Sequence, residues 1–326
     1  MQGLVTVFGG SGFIGVQVTR ALARAGYRVR VAVRRPGLGY KLPLMGDVGQ
    51  IEVTQANVRN PASIARALKG AEACVNLVGI LYESGRQGFL GVHAKGAEEI
   101  ASACAAAGIT RMVQMSALGA DTQSPAKYAR TKGEGEAAVR KALPSAVILR
   151  PSVVFGVDDQ LFNRFAGLAS MAPVVPLPGG GATRFQPVFV GDVAEAVANA
   201  ISDPDAAGKT FELGGPQVYS YKQLIQMTLA EIQKSRPTPS LAWPLAKLIG
   251  AIGDVQAKLL PFPPVLTSDQ VLMLQTDNVV APDALGLKAL GVNTPVAVEA
   301  IIPTYLYRYR RGGQFAQSPV ISSHIA

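Results

Sequence analysis

Glycines 9, 12 and 15 stand in the run Val7-Phe8-Gly9-Gly10-Ser11-Gly12-Phe13-Ile14-Gly15, directly after a short apolar stretch and at the start of a segment with helical spacing. A strand that ends in such a loop and feeds a helix suits a pyrophosphate. One glycine makes the tight turn, one lets the backbone approach the phosphates without a Cβ, and one lets helix and strand pack closely. The helix mouth adds free N–H groups and a partial positive charge. A tight β–α turn without a ligand is the plainer alternative. The next strand ends Val31-Ala32-Val33-Arg34-Arg35. Sites that prefer NAD place an acid there for the ribose 2′-OH. Two arginines match a 2′-phosphate instead, so the expected cofactor is NADPH. A solvated turn with surface arginines is the alternative.

Further along, Ser116 ends an apolar run, and Tyr128 and Lys132 follow in the spacing Y-x-x-x-K. On a helix that spacing puts both side chains on one face, one turn apart. A phenol with a pKa of about 10 is a poor acid–base group at neutral pH. A neighbouring ammonium and the positive ring of an oxidised nicotinamide favour the phenolate. Ser116 could hold the oxygen of a carbonyl substrate. An ordinary helix face is the alternative.

The elements that must position these residues alternate. Strands are expected at Leu4–Phe8, Arg28–Val33, Ile51–Gln55, Ala73–Val78, Arg111–Met115 and Ala146–Leu149. Helices are expected at Phe13–Ala25, Pro61–Leu68, Ala94–Ala107 and Tyr128–Ala142. That alternation predicts an α/β fold, a Rossmann doubly wound parallel sheet with a smaller C-terminal lobe. The first domain spans 1–150 and the lobe 151–326, with 185–215 returning to the first. In the lobe, Phe185–Val190 and Thr210–Leu213 read as strands. Asp192–Ile201 and Tyr221–Glu231 read as helices, the latter opened by Ser220 as N-cap.

The chain has 326 residues, 48% hydrophobic and 16% charged, which excludes a disordered protein. A net charge of +9 favours anionic cofactors, membrane surfaces, acidic proteins or nucleic acid without choosing among them. Cys74 and Cys104 carry no metal signature and read as small buried residues. Leu4–Phe8 already reads as structural, so no signal peptide is expected, and no apolar run is long enough to span a bilayer.

The residues resemble an extended or atypical short-chain dehydrogenase/reductase. The resemblance covers the glycine loop, Asn57 with Val58, Val78 with Gly79, Ser116, Tyr128, Lys132, Arg150-Pro151-Ser152-Val153-Val154-Phe155-Gly156 and the block Phe185–Ala194. It implies cofactor contacts from Gly9, Gly10, Ser11, Gly12, Phe13, Ile14, Gly15, Arg34, Arg35, Asn57, Val58, Val78, Gly79, Ser116, Tyr128, Lys132, Pro151 and Val154, and a catalytic set of Ser116, Tyr128 and Lys132. The chain departs from many relatives at Asn57, where they have Asp, at His93, where they have Asn, and at Gly96-Ala97, where they have Gly-Thr. His93 itself reads as an ordinary helix residue.

More narrowly the chain is similar to the NDUFA-nine-like accessory subunits of respiratory complex I (NADH:ubiquinone oxidoreductase). That match rests on Tyr128–Glu136, on Phe185–Ala194, and on Leu266-Thr267-Ser268-Asp269-Gln270-Val271 followed by Asp277-Asn278. It implies a peripheral subunit that holds NADPH near the junction of the hydrophilic and membrane arms. It also implies a place on the cytoplasmic face of a bacterial inner membrane, or the matrix side in a mitochondrion, with little or no turnover.

The apolar stretch Leu241–Ile252 and the broken Leu260-Pro261-Phe262-Pro263-Pro264 could lie at an interface, although a helix covering the lobe's core is the more ordinary outcome. Tyr305-Leu306-Tyr307-Arg308-Tyr309-Arg310-Arg311 suits a lipid headgroup layer or a protein groove ahead of nucleic acid. Gln314–Ala326 reads as a tail. An active NADPH-dependent reductase or epimerase on a small carbonyl or nucleotide-sugar substrate, and an NADPH-sensing regulator, are the competing functions.

Overall fold

Alternate residues of the first strand, β1 (Gln2–Phe8), pack in different cores. Val5 and Val7 are fully buried in one, and Phe8 sits in the other. Thr6, between them, donates its hydroxyl to the carbonyl of Ala67 at 2.9 Å. A strand covered on both faces reads as continuously apolar, as parallel strands do. The computed structural model describes residues 2–316 apart from 86 and 261.

Around β1 the chain runs through α1 (Phe13–Arg24), β2 (Tyr27–Val33), β3 (Ile51–Gln55), α2 (Pro61–Leu68), β4 (Ala73–Asn76), α3 (Lys95–Ala106), β5 (Arg111–Met115), α4 (Lys127–Ala142) and β6 (Val147–Pro151). After α5 (Phe162–Met171) and α6 (Val190–Ser202), β7 (Thr210–Leu213) returns to the sheet. The order is β7-β6-β5-β4-β1-β2-β3, every pair parallel. This is the doubly wound α/β sheet expected from the alternation. Val18 and Leu22 of α1 and Val193 and Val197 of α6 cover one face. Ile64 and Leu68 of α2, Ile100 of α3 and Val139 of α4 cover the other. Leu287, Leu290 and Val292 also pack into the first core. The lobe has its own core, in which Phe155, Phe162 and Leu177 meet Leu224 and Ile225 of α7 (Tyr221–Glu231). Ser220 opens α7 with a full capping box to Gln223. Beyond it lie α8 (Trp243–Leu259) and α9 (Ser268–Met273).

Three expectations are corrected here. The strand expected over Ala73–Val78 stops at Asn76. The Asn76 amide donates to Gln114 Oε1 at 2.8 Å, and its carbonyl oxygen accepts from the Val78 N–H, which turns the chain out of the ladder. Phe185–Val190 is not one strand. It forms two short pairs, Arg184–Phe185 and Val188–Phe189, broken at Pro187, which has no N–H to donate, and α6 begins at Val190. The Tyr305–Arg311 run does not turn as a whole to a headgroup layer or groove: part of it packs inward, while Arg308 and Arg311 stay exposed. Tyr305 and Leu306 are buried, the Tyr305 hydroxyl donates to the Asp159 carboxylate at 2.5 Å, and Arg310 is buried against Glu231. Of the expected tail, residues 317–326 lie outside the described residues.

Candidate functional site

The glycine loop is held by its own backbone. Gly9 adopts φ +80°, and its carbonyl accepts from the Gly12 N–H at 3.0 Å. Gly12 is the N-cap of α1, with no side-chain cap and no acid in the first turn. The partial positive charge at the mouth of α1 is therefore left for a ligand. A Cβ on Gly10 would meet Val31 of β2 at 2.6 Å, so the loop lies directly against that strand. Ser11, Phe13 and Ile14 are half-buried around the mouth. A Cβ on Gly156, beyond β6, would meet the Phe13 ring at 3.4 Å, and Val154 lies half-buried in the same stretch. Pro151 is buried, its carbonyl accepting from the Leu118 N–H at 3.0 Å.

At the end of β2 the arginines part company. Arg34 lines a cavity of 280 Å³ with Gln55, Ala56, Asn57, Asn60, Ser63 and Arg66, whereas Arg35 is exposed and does not line it. Nη1 of Arg34 donates to Gln87 Oε1 at 2.8 Å. No acid lines the cavity. Asn57 takes the Arg59 N–H on its side-chain oxygen and exchanges backbone bonds with the Ser63 hydroxyl. Val58 is buried against Gly96. Arg66 was missed in the sequence reading. Its signal was there: Asn60, Ser63 and Arg66 recur every third residue, one face of a helix that Asn60 caps.

Ser116, Tyr128 and Lys132 come from two elements. Lys132 is buried, with Nζ donating to the Met115 carbonyl at 3.2 Å and lying 5.9 Å from the centre of the Tyr128 ring. Ser116 follows Met115. Its Oγ is buried and has no hydrogen-bond partner, which in a folded protein calls for an explanation such as a ligand or water. Gly79 sits over this group, and a Cβ there would reach Lys132 Nζ at 3.5 Å and His93 Nε2 at 3.8 Å.

His93 is not the ordinary helix residue expected. It is buried in the π-helical turn Leu90–Ala94. The Ile80 N–H donates to its Nε2 at 3.1 Å, so the ring proton belongs on Nδ1, which donates to Thr131 Oγ1 at 3.2 Å. The Thr131 hydroxyl donates in turn to the Lys127 carbonyl at 2.8 Å. The ring stacks on Phe89 and meets Tyr128 edge-on, both at 5.3 Å. His93 thus ties the Val78–Ile80 loop to the helix that carries Tyr128 and Lys132.

Burial sets the titration of this cluster. It pushes His93 down to about 3, with the Lys132 ammonium adding to the effect. It pushes the Tyr128 phenol up to about 12, helped by Asp269. It lowers Lys132 to about 8 against the pull of Glu136. Tyr128 is therefore protonated at neutral pH. Because Lys132 has a folded pKa below that of a free lysine, its buried ammonium costs stability at any pH below about 8. Lys132→Met is expected to raise Tm at pH 7, with the gain fading as the pH climbs from about 8 toward the ordinary lysine range. Thermal melts across pH check this, and a lower Tm at pH 7 would refute it.

Asp269 links the site to the lobe. No side chain near Ala126 caps α4. The Asp269 carboxylate, from the first turn of α9, accepts instead from the N–H groups of Lys127 (2.5 Å) and Tyr128 (3.0 Å). Asp277 does the same for Arg184, and Asn278 accepts from the Ser152 hydroxyl at 2.7 Å. Asp192, whose carboxyl burial pushes up to about 6, accepts from the Val296 N–H at 2.8 Å. The last third is thus tied back over long range to α4, to Arg184, to the turn after β6 and to α6.

A family profile described as NAD(P)H-binding matches residues 9–159. The chain is 35% identical over 321 residues, 96% of its length and 80% of the relative's, to NADH dehydrogenase (ubiquinone) 1 alpha subcomplex subunit 9, mitochondrial, of Arabidopsis thaliana. It is 30% identical over 96% of its length, and 81% of the relative's, to the NADH-ubiquinone oxidoreductase 40 kDa subunit of Neurospora crassa. Among solved structures, an NADPH-dependent quinone oxidoreductase of Escherichia coli, complexed with NADPH, superposes with a TM-score of 0.69 at 20% identity over 93% of this chain and 98% of that one. That likeness is one of fold.

Proposed function

The chain belongs to the family of the NADH dehydrogenase (ubiquinone) 1 alpha subcomplex subunit 9 proteins, and from that premise we propose that it is an accessory subunit of respiratory complex I that holds NADPH with little or no turnover. The kinship over 96% of the chain is the observation that carries this. The site supports it. The loop Gly9–Gly15 and the mouth of α1 take the pyrophosphate. Arg34, with Arg66 across an acid-free cavity, takes the 2′-phosphate. Asn57 and Val58 flank the adenine. Val78, Gly79, Pro151 and Val154 wall the nicotinamide side, where Ser116 Oγ has a hydrogen bond to give. A bound nicotinamide supplies hydride chemistry. The chain itself presents a protonated phenol and a buried ammonium rather than a ready base. Its partners are other complex I subunits near the junction of the hydrophilic and membrane arms. Its C-terminal lobe faces the membrane surface, on the cytoplasmic side in a bacterium or the matrix side in a mitochondrion.

A native gel of solubilised host membranes tests this, with the chain expected in the NADH-oxidising complex I band. Arg34→Ala combined with Arg66→Ala lowers NADPH affinity and the amount of chain in that band, while Tyr128→Phe leaves both unchanged. The unpartnered Ser116 hydroxyl beside Tyr128 and Lys132 favours a second reading, a carbonyl reductase. That reading wins if the chain is absent from the band, or if Tyr128→Phe abolishes a carbonyl reduction while complex I stays normal.

A further inference from the structure

Helix α8 turns its small residues inward and its large apolar ones out. Ala246, Gly250, Gly253 and Ala257 are buried. A Cβ on Gly250 would come within 2.9 Å of the Ser268 backbone, and one on Gly253 within 1.8 Å of the Leu266 carbonyl. The Asp254 carboxylate accepts from the Ser268 N–H at 3.3 Å, so α8 is pinned to α9 by that side. Leu245, Leu248, Ile252, Val255 and Leu259 are left 49% to 75% exposed. Their alternating steps of three and four make one straight stripe along the helix. Phe262, 66% exposed, extends it.

A stripe of this kind marks an interaction surface rather than scattered surface residues. Its borders identify the partner. Asp254 is the single acid between residues 243 and 265, and it is turned toward Ser268. Lys247 and Lys258 are exposed, three helical turns apart on the same border of the stripe. Lysines beside an apolar stripe lay their stems along it and reach for phosphate. Among the described residues no helix is long and apolar enough to cross a membrane, and a 17-residue amphipathic helix with this pattern lies in the membrane plane.

We infer that α8 docks on an anionic phospholipid surface, its stripe among the acyl chains and Lys247 and Lys258 at the level of the phosphates. This rests on the reading of the chain as a peripheral subunit and names the element that touches lipid. The full chain is sedimented with vesicles of phosphatidylcholine alone or mixed with phosphatidylglycerol, and the emission of Trp243, the single tryptophan, at the start of α8, is followed. Binding to the mixed vesicles is expected, with a blue shift of that emission. Ile252→Glu with Leu259→Glu, both at exposed positions, abolishes binding without changing Tm. Lys247→Gln with Lys258→Gln weakens it roughly thirtyfold. The inference fails if the wild-type chain stays in the supernatant with both vesicles, or if the glutamate variant binds as well as wild type. It also fails if the glutamates only dissociate a dimer, which makes a second copy the occupant. A chain that joins complex I yet ignores vesicles sinks this inference alone. A chain that binds vesicles yet never enters complex I sinks the subunit reading.

Discussion

Gly15→Ala abolishes tight nicotinamide binding, while the rest of the sheet still folds. The added Cβ would stand 2.3 Å from the Gly9 carbonyl oxygen and 2.6 Å from the Gly10 Cα. Both are backbone atoms, and the same Gly9 carbonyl already accepts from the Gly12 N–H. No side chain can swing aside, so α1 must slide or the loop must open. Either motion takes the N–H groups at the helix mouth out of phosphate range. A loss on the order of a hundredfold in NADPH affinity, about 2.7 kcal/mol, is expected, with an overpacking penalty of roughly 1–3 kcal/mol on stability. Fluorescence titration with NADPH and a thermal melt measure the two effects. An unchanged Kd would show that the phosphates are held elsewhere.

Arg310→Met is expected to destabilise the lobe more than any surface change. Arg310 and Glu231 pair with side chains only 3% and 1% exposed, and Arg310 Nε also donates to the Glu231 carbonyl at 2.7 Å. Removing the guanidinium leaves a carboxylate without its counter-charge in an apolar setting, a loss of about 3–5 kcal/mol. Replacing both partners, Arg310→Met with Glu231→Leu, recovers most of it, because no lone charge remains. Urea unfolding of the wild type, the single and the double variant reads this out. A single variant as stable as wild type would mean that water reaches Glu231.

Much of this was readable locally. The β1–loop–α1 unit declares itself because glycine spacing, apolar strand and helical period are neighbours in sequence, and each follows from backbone sterics. The α7 helix and its Ser220 cap are local in the same way. The fate of the Tyr305–Arg311 run was not readable. Aromatic rings and arginines suit an interface as well as a core until Asp159 and Glu231 arrive from elsewhere in the chain. His93 passed for a helix residue because its partners, the Ile80 N–H and Thr131, are set by a π-helical turn and a neighbouring helix.

By itself, then, the sequence determined the parallel sheet, the phosphate-ready helix mouth, the basic end of β2, and the placing of Tyr128 and Lys132 on one helix face. These depend on periods and steric rules that act over a few residues. Only the tertiary structure decided that Arg66 rather than Arg35 shares a cavity with Arg34, that Asp269 caps the helix of Tyr128 from 141 residues away, and that α8 shows its apolar side outward. Those outcomes depend on which groups distant in the chain meet after folding, and a polar group has no assigned partner until burial makes leaving it unpaired costly.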